Sequence, residues 1–196
     1  ALYGHPEAGI TSLLKYLQTG QLADPSKRMD RTDRTYFRRS VGLKLTGDVE
    51  AAILVRKLVD RPGHSQGMLH AMEFCRERPH HAIIMLDSSA PFGGKSSATI
   101  SGYLNSFWSH ARLNRRFNKH RIERVWIWLN KADAIQKSKL NSLVNKVERE
   151  VRVVTHGLIS PGKLQIRSCS LVDDTKWNSI REKLIAEVIS DMIDPS

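Results

Sequence analysis

The chain has 196 residues, 40% hydrophobic and 26% charged, with a formal net charge of +11 and a pI near 10.0. That balance fits a soluble-type globular domain with a full core and excludes a low-complexity or disordered chain. No apolar run reaches the length of a membrane span, and the two cysteines, Cys75 and Cys169, have neither the number nor the spacing of a disulfide framework or zinc site. The excess of cations favours phosphate-rich or acidic partners: nucleotide, nucleic acid, an acidic protein face or an anionic membrane surface. Two cysteines without a framework fit a reducing compartment, so a cytoplasmic setting is expected.

The opening Ala1-Leu2-Tyr3-Gly4 reads as the end of a strand. The whole of 1–196 is therefore expected to be a single domain taken from a longer chain, its first strand shortened. Residues 4–9 form a loop and 11–17 a helix with an apolar face. The polar stretch 20–35 is long for a connection and reads as a partner-facing or functional loop. A strand is expected around 38–45, a tight turn at Thr46-Gly47-Asp48, and a second strand over 51–59. A helix near 66–78 and a short apolar strand, 82–86, ending at Asp87 come next. Residues 88–97 are a loop and 98–120 a long helix carrying Tyr103, Leu104, Phe107 and Trp108 on one side. A buried-type strand follows at 125–129. Leu140, Leu143, Val144, Val147 and Val151 give 137–154 helical spacing. A short strand at 164–166 and an amphipathic helix over 180–193 close the chain. Alternating strands and helices predict a three-layer α/β fold. Its sheet is expected to be mostly parallel, with one antiparallel edge strand from the 46–48 hairpin and helices on both faces. Ligands in such sheets sit at the carboxyl ends of the strands.

Three motifs fall on that rim. Gly4-His5-Pro6-Glu7-Ala8-Gly9-Ile10-Thr11 joins a strand end to a helix. It has the spacing of a phosphate loop, in which glycines let backbone N–H groups face phosphate oxygens beside a helix N-terminus. Thr11 stands where that pattern's hydroxyl ligates magnesium, and Gly4 and Gly9 where it wraps the phosphates. Ile10 replaces the pattern's lysine. Asp60-Arg61-Pro62-Gly63 ends a strand, placing a carboxylate for magnesium and a glycine N–H for a terminal phosphate. Asn130-Lys131-Ala132-Asp133 leaves the apolar strand 125–129. A carboxylate at Asp133 can accept both N–H groups of a guanine edge, the Lys131 stem can lie over a base, and Asn130 can tie base and loops together.

Asn-Lys-x-Asp is the guanine-reading box of the GTPase superfamily. With the other two motifs in family order, the chain resembles a P-loop GTPase of Ras-like fold, in the translation-factor-related class. The resemblance spans nearly the whole chain and implies a bound GTP or GDP with magnesium held by Thr11, Asp60 and a switch threonine. For the last, Thr35 is the first choice and Thr32 the second. Ser168-Cys169-Ser170 resembles the family's Ser-Ala-Lys loop without its lysine. The resemblance implies that the Cys169 N–H faces the guanine oxygen. It also implies that His64, after Asp60-x-Pro-Gly63, positions an attacking water.

The missing lysine separates binding from turnover. A charge-assisted contact is worth roughly 1.5–3 kcal/mol, and more where it strengthens in the transition state. Three readings follow. The domain binds GTP or GDP and turns over little, as a regulatory switch or scaffold. A cation from elsewhere substitutes, with Arg61, Lys95 and the Arg38-Arg39 pair as candidates. Or the domain binds no nucleotide and works by surface contacts, as a pseudo-GTPase. A different class of function is an interaction module. The run Arg112-Leu113-Asn114-Arg115-Arg116-Phe117-Asn118-Lys119-His120-Arg121 would place a basic helix end against a protein partner or nucleic acid. A solvated helix terminus is the plainer account of the same charges.

Overall fold

The computed structural model describes residues 1–5, 7–10, 12–13, 39–44, 50–55, 66–96, 98–114, 122–171 and 187, with the backbone alone over 39–44, 50–55 and at 66. In chain order these residues form β1 (Leu2–Gly4), β2 (Arg39–Lys44), β3 (Glu50–Val55), α1 (Gln66–Glu77), β4 (His81–Asp87), α2 (Ile100–Leu113), β5 (Arg124–Asn130), α3 (Lys137–Val154) and β6 (Leu164–Ser168). A further helix opens at Ile10, where the Leu13 N–H donates to the Gly9 carbonyl at 2.9 Å. Short 3-10 turns occupy Ala132–Ala134 and Pro161–Lys163. Glu187, inside the expected 180–193 helix, is helical, and the rest of that helix lies outside the described residues.

Four strands pair in the order β1-β4-β5-β6, all parallel. Period-two alternation divides their side chains between two buried faces. Tyr3, Ala82, Ile84, Leu86, Val125, Ile127 and Leu129 join one core cluster with Phe74 of α1, Phe107 and Trp108 of α2, and Val147 and Val151 of α3. The alternate residues Leu2, Ile83, Met85, Trp126 and Trp128 are also buried, as are Ile10 and Leu13 of the first helix. A sheet covered on both faces explains why β4 and β5 read as continuous apolar runs rather than alternating ones. Burying one such large apolar side chain stabilises the fold by roughly 1.5–3 kcal/mol. Among the described residues no helix is long and apolar enough to cross a membrane.

Three expectations change. The hairpin pairs as foreseen, with Lys44 opposite Glu50. Among the described residues, however, β2 and β3 form a two-stranded sheet of their own rather than an antiparallel edge on the parallel sheet. The turn at 46–48 lies outside the described residues. The helix expected over 98–120 begins at Ile100, with Thr99 accepting the Gly102 N–H at its side chain, and ends at Leu113. Asn114 takes an extended conformation there. Asparagine is a weak helix former, and the like charges at Arg112 and Arg116, one helical turn apart, would oppose continuation. Residues 115–121 of the basic run lie outside the described residues. Arg112 is also committed: its guanidinium donates to the Val154 and His156 carbonyls at 3.2 and 2.8 Å, capping the end of α3.

Candidate functional site

Register places the motifs together. Gly4 at the end of β1 lies opposite Met85, Asp87 at the end of β4 opposite Asn130, and Leu129 of β5 opposite Ser168. The carboxyl ends of all four strands thus open on one rim, as expected for ligand-binding parallel sheets.

The loop after β1 has the local conformation that its glycines suggest. Its first N–H, from His5, donates to the Met85 carbonyl at 2.8 Å, and the Ala8 N–H returns to the His5 carbonyl at 3.1 Å. Glu7 and Gly9 sit at φ of 60° and 89°, in the left-handed region, just before the helix opens at Ile10. Gly9 has a second reason to be glycine: a Cβ there would stand 2.6 Å from Nδ2 of Asn130. Ile10 is buried and folds back over Gly4, where a Cβ would meet its Cδ1 at 2.5 Å. The position that carries the lysine in phosphate loops here packs an apolar side chain against the loop's own first glycine.

Asn130 is the centre of the site. It is buried, and its Nδ2 donates to the Ala8 carbonyl in the loop after β1 at 2.9 Å. Its Oδ1 accepts the Leu171 N–H at 3.1 Å, with the Cys169 thiol 3.9 Å away. One side chain therefore joins three rim segments that are far apart in sequence. Next, Lys131 takes a left-handed conformation, φ 61°, which ends β5. Its Nζ donates to Oδ2 of Asp87 at 2.6 Å. The other oxygen of that carboxylate accepts the Ser89 N–H at 2.9 Å and the Ser89 hydroxyl at 2.6 Å. Burial alone would raise the Asp87 pKa, but the hydrogen bonds from Lys131 and Ser89 outweigh it and hold it below the usual carboxylate value. Asp133 is exposed in the 3-10 turn that follows. Its charge adds to burial in pushing the Cys169 thiol up to about 12.

The structure thus brings Gly4, Gly9, Asn130, Lys131, Asp133 and Cys169 to one rim. Thr11, Thr32, Thr35, Asp60, Gly63 and His64 lie outside the described residues, as do Arg38 and Arg61. Lys95 is exposed in the loop between β4 and α2. One expected role changes. The Cys169 N–H donates to the Leu129 carbonyl at 2.8 Å, while the Ala132 N–H donates to the Cys169 carbonyl at 3.0 Å. These bonds extend the β5-β6 pairing one step past Ser168, so the Cys169 N–H is spent on the sheet and is not presented to a ligand. Sequence reading also passed over two residues. Asp87 ends an apolar strand on the rim just as Asn130 does, and that placement was a usable signal. His5 is buried, and among the described residues neither ring nitrogen has a hydrogen-bond partner; its ring meets Tyr103 edge-on at 6.0 Å.

No protein-family model matches the chain, and no curated protein sequence does. Solved structures do. The apo form of translation elongation factor SelB from Methanococcus maripaludis is similar at 16% identity and a TM-score of 0.51, over 94% of this chain and 32% of that one. The same factor in complex with the GTP analogue GppNHp gives 15% identity and a TM-score of 0.52, over 97% of this chain and 33% of that one. A mutation variant of SsGBP gives 17% identity and a TM-score of 0.52, over 97% of this chain and 54% of that one. The chain spans about a third of the length of SelB and about half of SsGBP. Likeness at these identities concerns the fold alone: this chain has a mixed α/β fold with a parallel sheet, consistent with the Ras-like P-loop fold.

Proposed function

We propose that this domain binds guanine nucleotide, GTP or GDP, with magnesium, and acts as a regulatory switch or scaffold whose own hydrolysis is weak or needs a partner. The observation that carries this reading is the Asn130 tie between the glycine loop, through Ala8, and the segment after β6, through Leu171. That tie holds the glycine loop and the segment after β6 at fixed positions on either side of the box, the arrangement a nucleotide spanning both would need. The nucleotide would lie along the rim. Backbone N–H groups of the Gly4–Gly9 loop and the opening of the helix at Ile10 would face its phosphates. Asp133, exposed in the turn, would accept from the guanine edge. The Lys131 stem would lie against the base. Thr11 and Asp60, with Thr35 as the switch residue, would hold magnesium, and Gly63 would approach the last phosphate. His64 would orient water in any hydrolysis. These last five positions are carried from the sequence pattern alone. The SelB complex with a GTP analogue supports the reading as a likeness. A cytoplasmic setting and a protein partner at residues 20–35 belong to the same proposal.

Ile10 defines the limit on chemistry. Without a cation at the terminal phosphates, charge developing in transfer is met by backbone dipoles and magnesium only. The substitution Ile10→Lys tests this. A lysine stem following the path of Ile10 past Gly4 should raise affinity for GTP by about one to two decades and raise turnover as well. Equal GTP affinity in the two proteins would contradict the assignment of this loop to phosphate. The nucleotide-free alternative rests on the same residue, since Ile10 fills space beside Gly4.

A further inference from the structure

We infer that Asp87 is a positioning residue for Lys131, fixing its stem across the rim as the platform for the base. This rests on the guanine reading and extends it to a residue outside the three motifs.

Four observations converge. Asp87 and Asn130 are opposite one another at the ends of β4 and β5, so Lys131 starts one residue beyond the paired ladder. The Ser88 N–H donates to the Asn130 carbonyl at 3.0 Å, locking the two strand ends together as both chains leave the sheet. Lys131 adopts φ 61°, a conformation that costs an L-residue roughly 1–2 kcal/mol and is kept only where surroundings enforce it. Its amine reaches back to Oδ2 of Asp87 at 2.6 Å. The stem therefore bridges β5 to β4 while its side chain remains 38% exposed, against 7% for Asp87. A chain anchored at both ends and open along one side presents methylene groups to whatever occupies the rim.

The carboxylate is itself held. Both Ser89 donors occupy Oδ1, leaving Oδ2 for the amine. Asp87 is 5% exposed, so its charge is poorly screened by solvent and its pairing is directional. Lys131 is consequently not a free surface cation. Its ammonium neutralises Asp87, and what it offers a ligand is the stem. The phosphates must find positive charge elsewhere, which sharpens the consequence of Ile10.

Asp87→Asn removes the charge while its amide oxygen can keep both Ser89 bonds. The full chain, loaded with mant-GDP and magnesium, is chased with excess GDP and the release rate is followed by fluorescence. D87N should accelerate release on the order of tenfold, Lys131→Met similarly, and the double variant no more than Lys131→Met alone. Additive effects of the two substitutions, or wild-type release from D87N, would overturn the positioning role. Failure of the wild-type chain to bind mant-GDP would refute the guanine reading and this inference with it. Mass-spectrometric acetylation footprinting covers the case in which D87N does not fold. In the wild-type chain Lys131 should be modified more slowly than the exposed Lys95, and more slowly still with GDP bound. Equal modification of Lys131 and Lys95 with and without GDP would overturn the role.

Discussion

Replacing Asn130 with alanine tests whether one side chain holds the rim together. The substitution leaves the Ala8 carbonyl without its donor and the Leu171 N–H without its acceptor. Both residues are buried, so water reaches neither group easily. A stranded buried backbone group costs about 1–3 kcal/mol. Two of them, softened by local relaxation, give a destabilisation of roughly 2–4 kcal/mol. For a domain of this size that is a fall of roughly 5–15 °C in Tm. Asn130→Asp separates the two bonds. It keeps the acceptor for Leu171 but sets a carboxylate against the Ala8 carbonyl, so it should destabilise at least as much as alanine. Urea unfolding by circular dichroism gives the free energies, with the slope compared between variants to check that the denatured state is unchanged. A loss below about 0.5 kcal/mol for Asn130→Ala, the range of a surface substitution, would refute the claim that the rim segments depend on this residue.

Gly9→Ala should destabilise by about 1–3 kcal/mol, because alanine is strained at φ 89° and its Cβ would press on Asn130 Nδ2; an unchanged urea midpoint would count against the loop geometry. The Asp87 pKa is lowered on folding from the ordinary aspartate value of 3.8. Its ionised form therefore stabilises the fold above that pH, and the contribution is lost as pH falls through the depressed folded value. The stability difference between wild type and Asp87→Asn should accordingly narrow below pH 3.8, measured as unfolding free energy against pH; a gap that widens toward acid would contradict the pairing. Both thiols are buried and protonated at neutral pH, with Cys75 pushed up to about 11 and Cys169 to about 12. Neither should react rapidly with a disulfide reagent at pH 8 until the chain unfolds. Stoichiometric labelling of the native protein would contradict that burial.

Much of this architecture was legible because single residues reported it. The apolar runs ending at Asp87 and Asn130 mark buried parallel strands, and the spacing of Val147 and Val151 marks the inner face of α3. The box was legible as a tetrapeptide, and so was a loop-tying role for Asn130, but the partners it ties were not. Pattern matching cannot see that Asn130 bonds Ala8 and Leu171, since those contacts exist only after four strands align. The role expected of Cys169 failed for a related reason. One extra step of β5-β6 pairing consumes its N–H, and ladder length depends on register rather than composition. The helix over 98–120 was read too long because apolar spacing through Trp108 says nothing about where it stops; it stops at Leu113, with Asn114 extended. Asp87 was passed over because a carboxylate at a strand end belongs to no motif until its lysine is known.

The most direct test is equilibrium titration of the wild-type chain, with magnesium present, against GDP, GTP and ADP in parallel. Guanine nucleotides should bind with micromolar or tighter affinity and ADP should not bind, because Asp133 can accept two N–H groups from guanine and adenine offers no such pair. Absence of guanine-nucleotide binding at high micromolar concentration, or equal binding of ADP, would contradict the account.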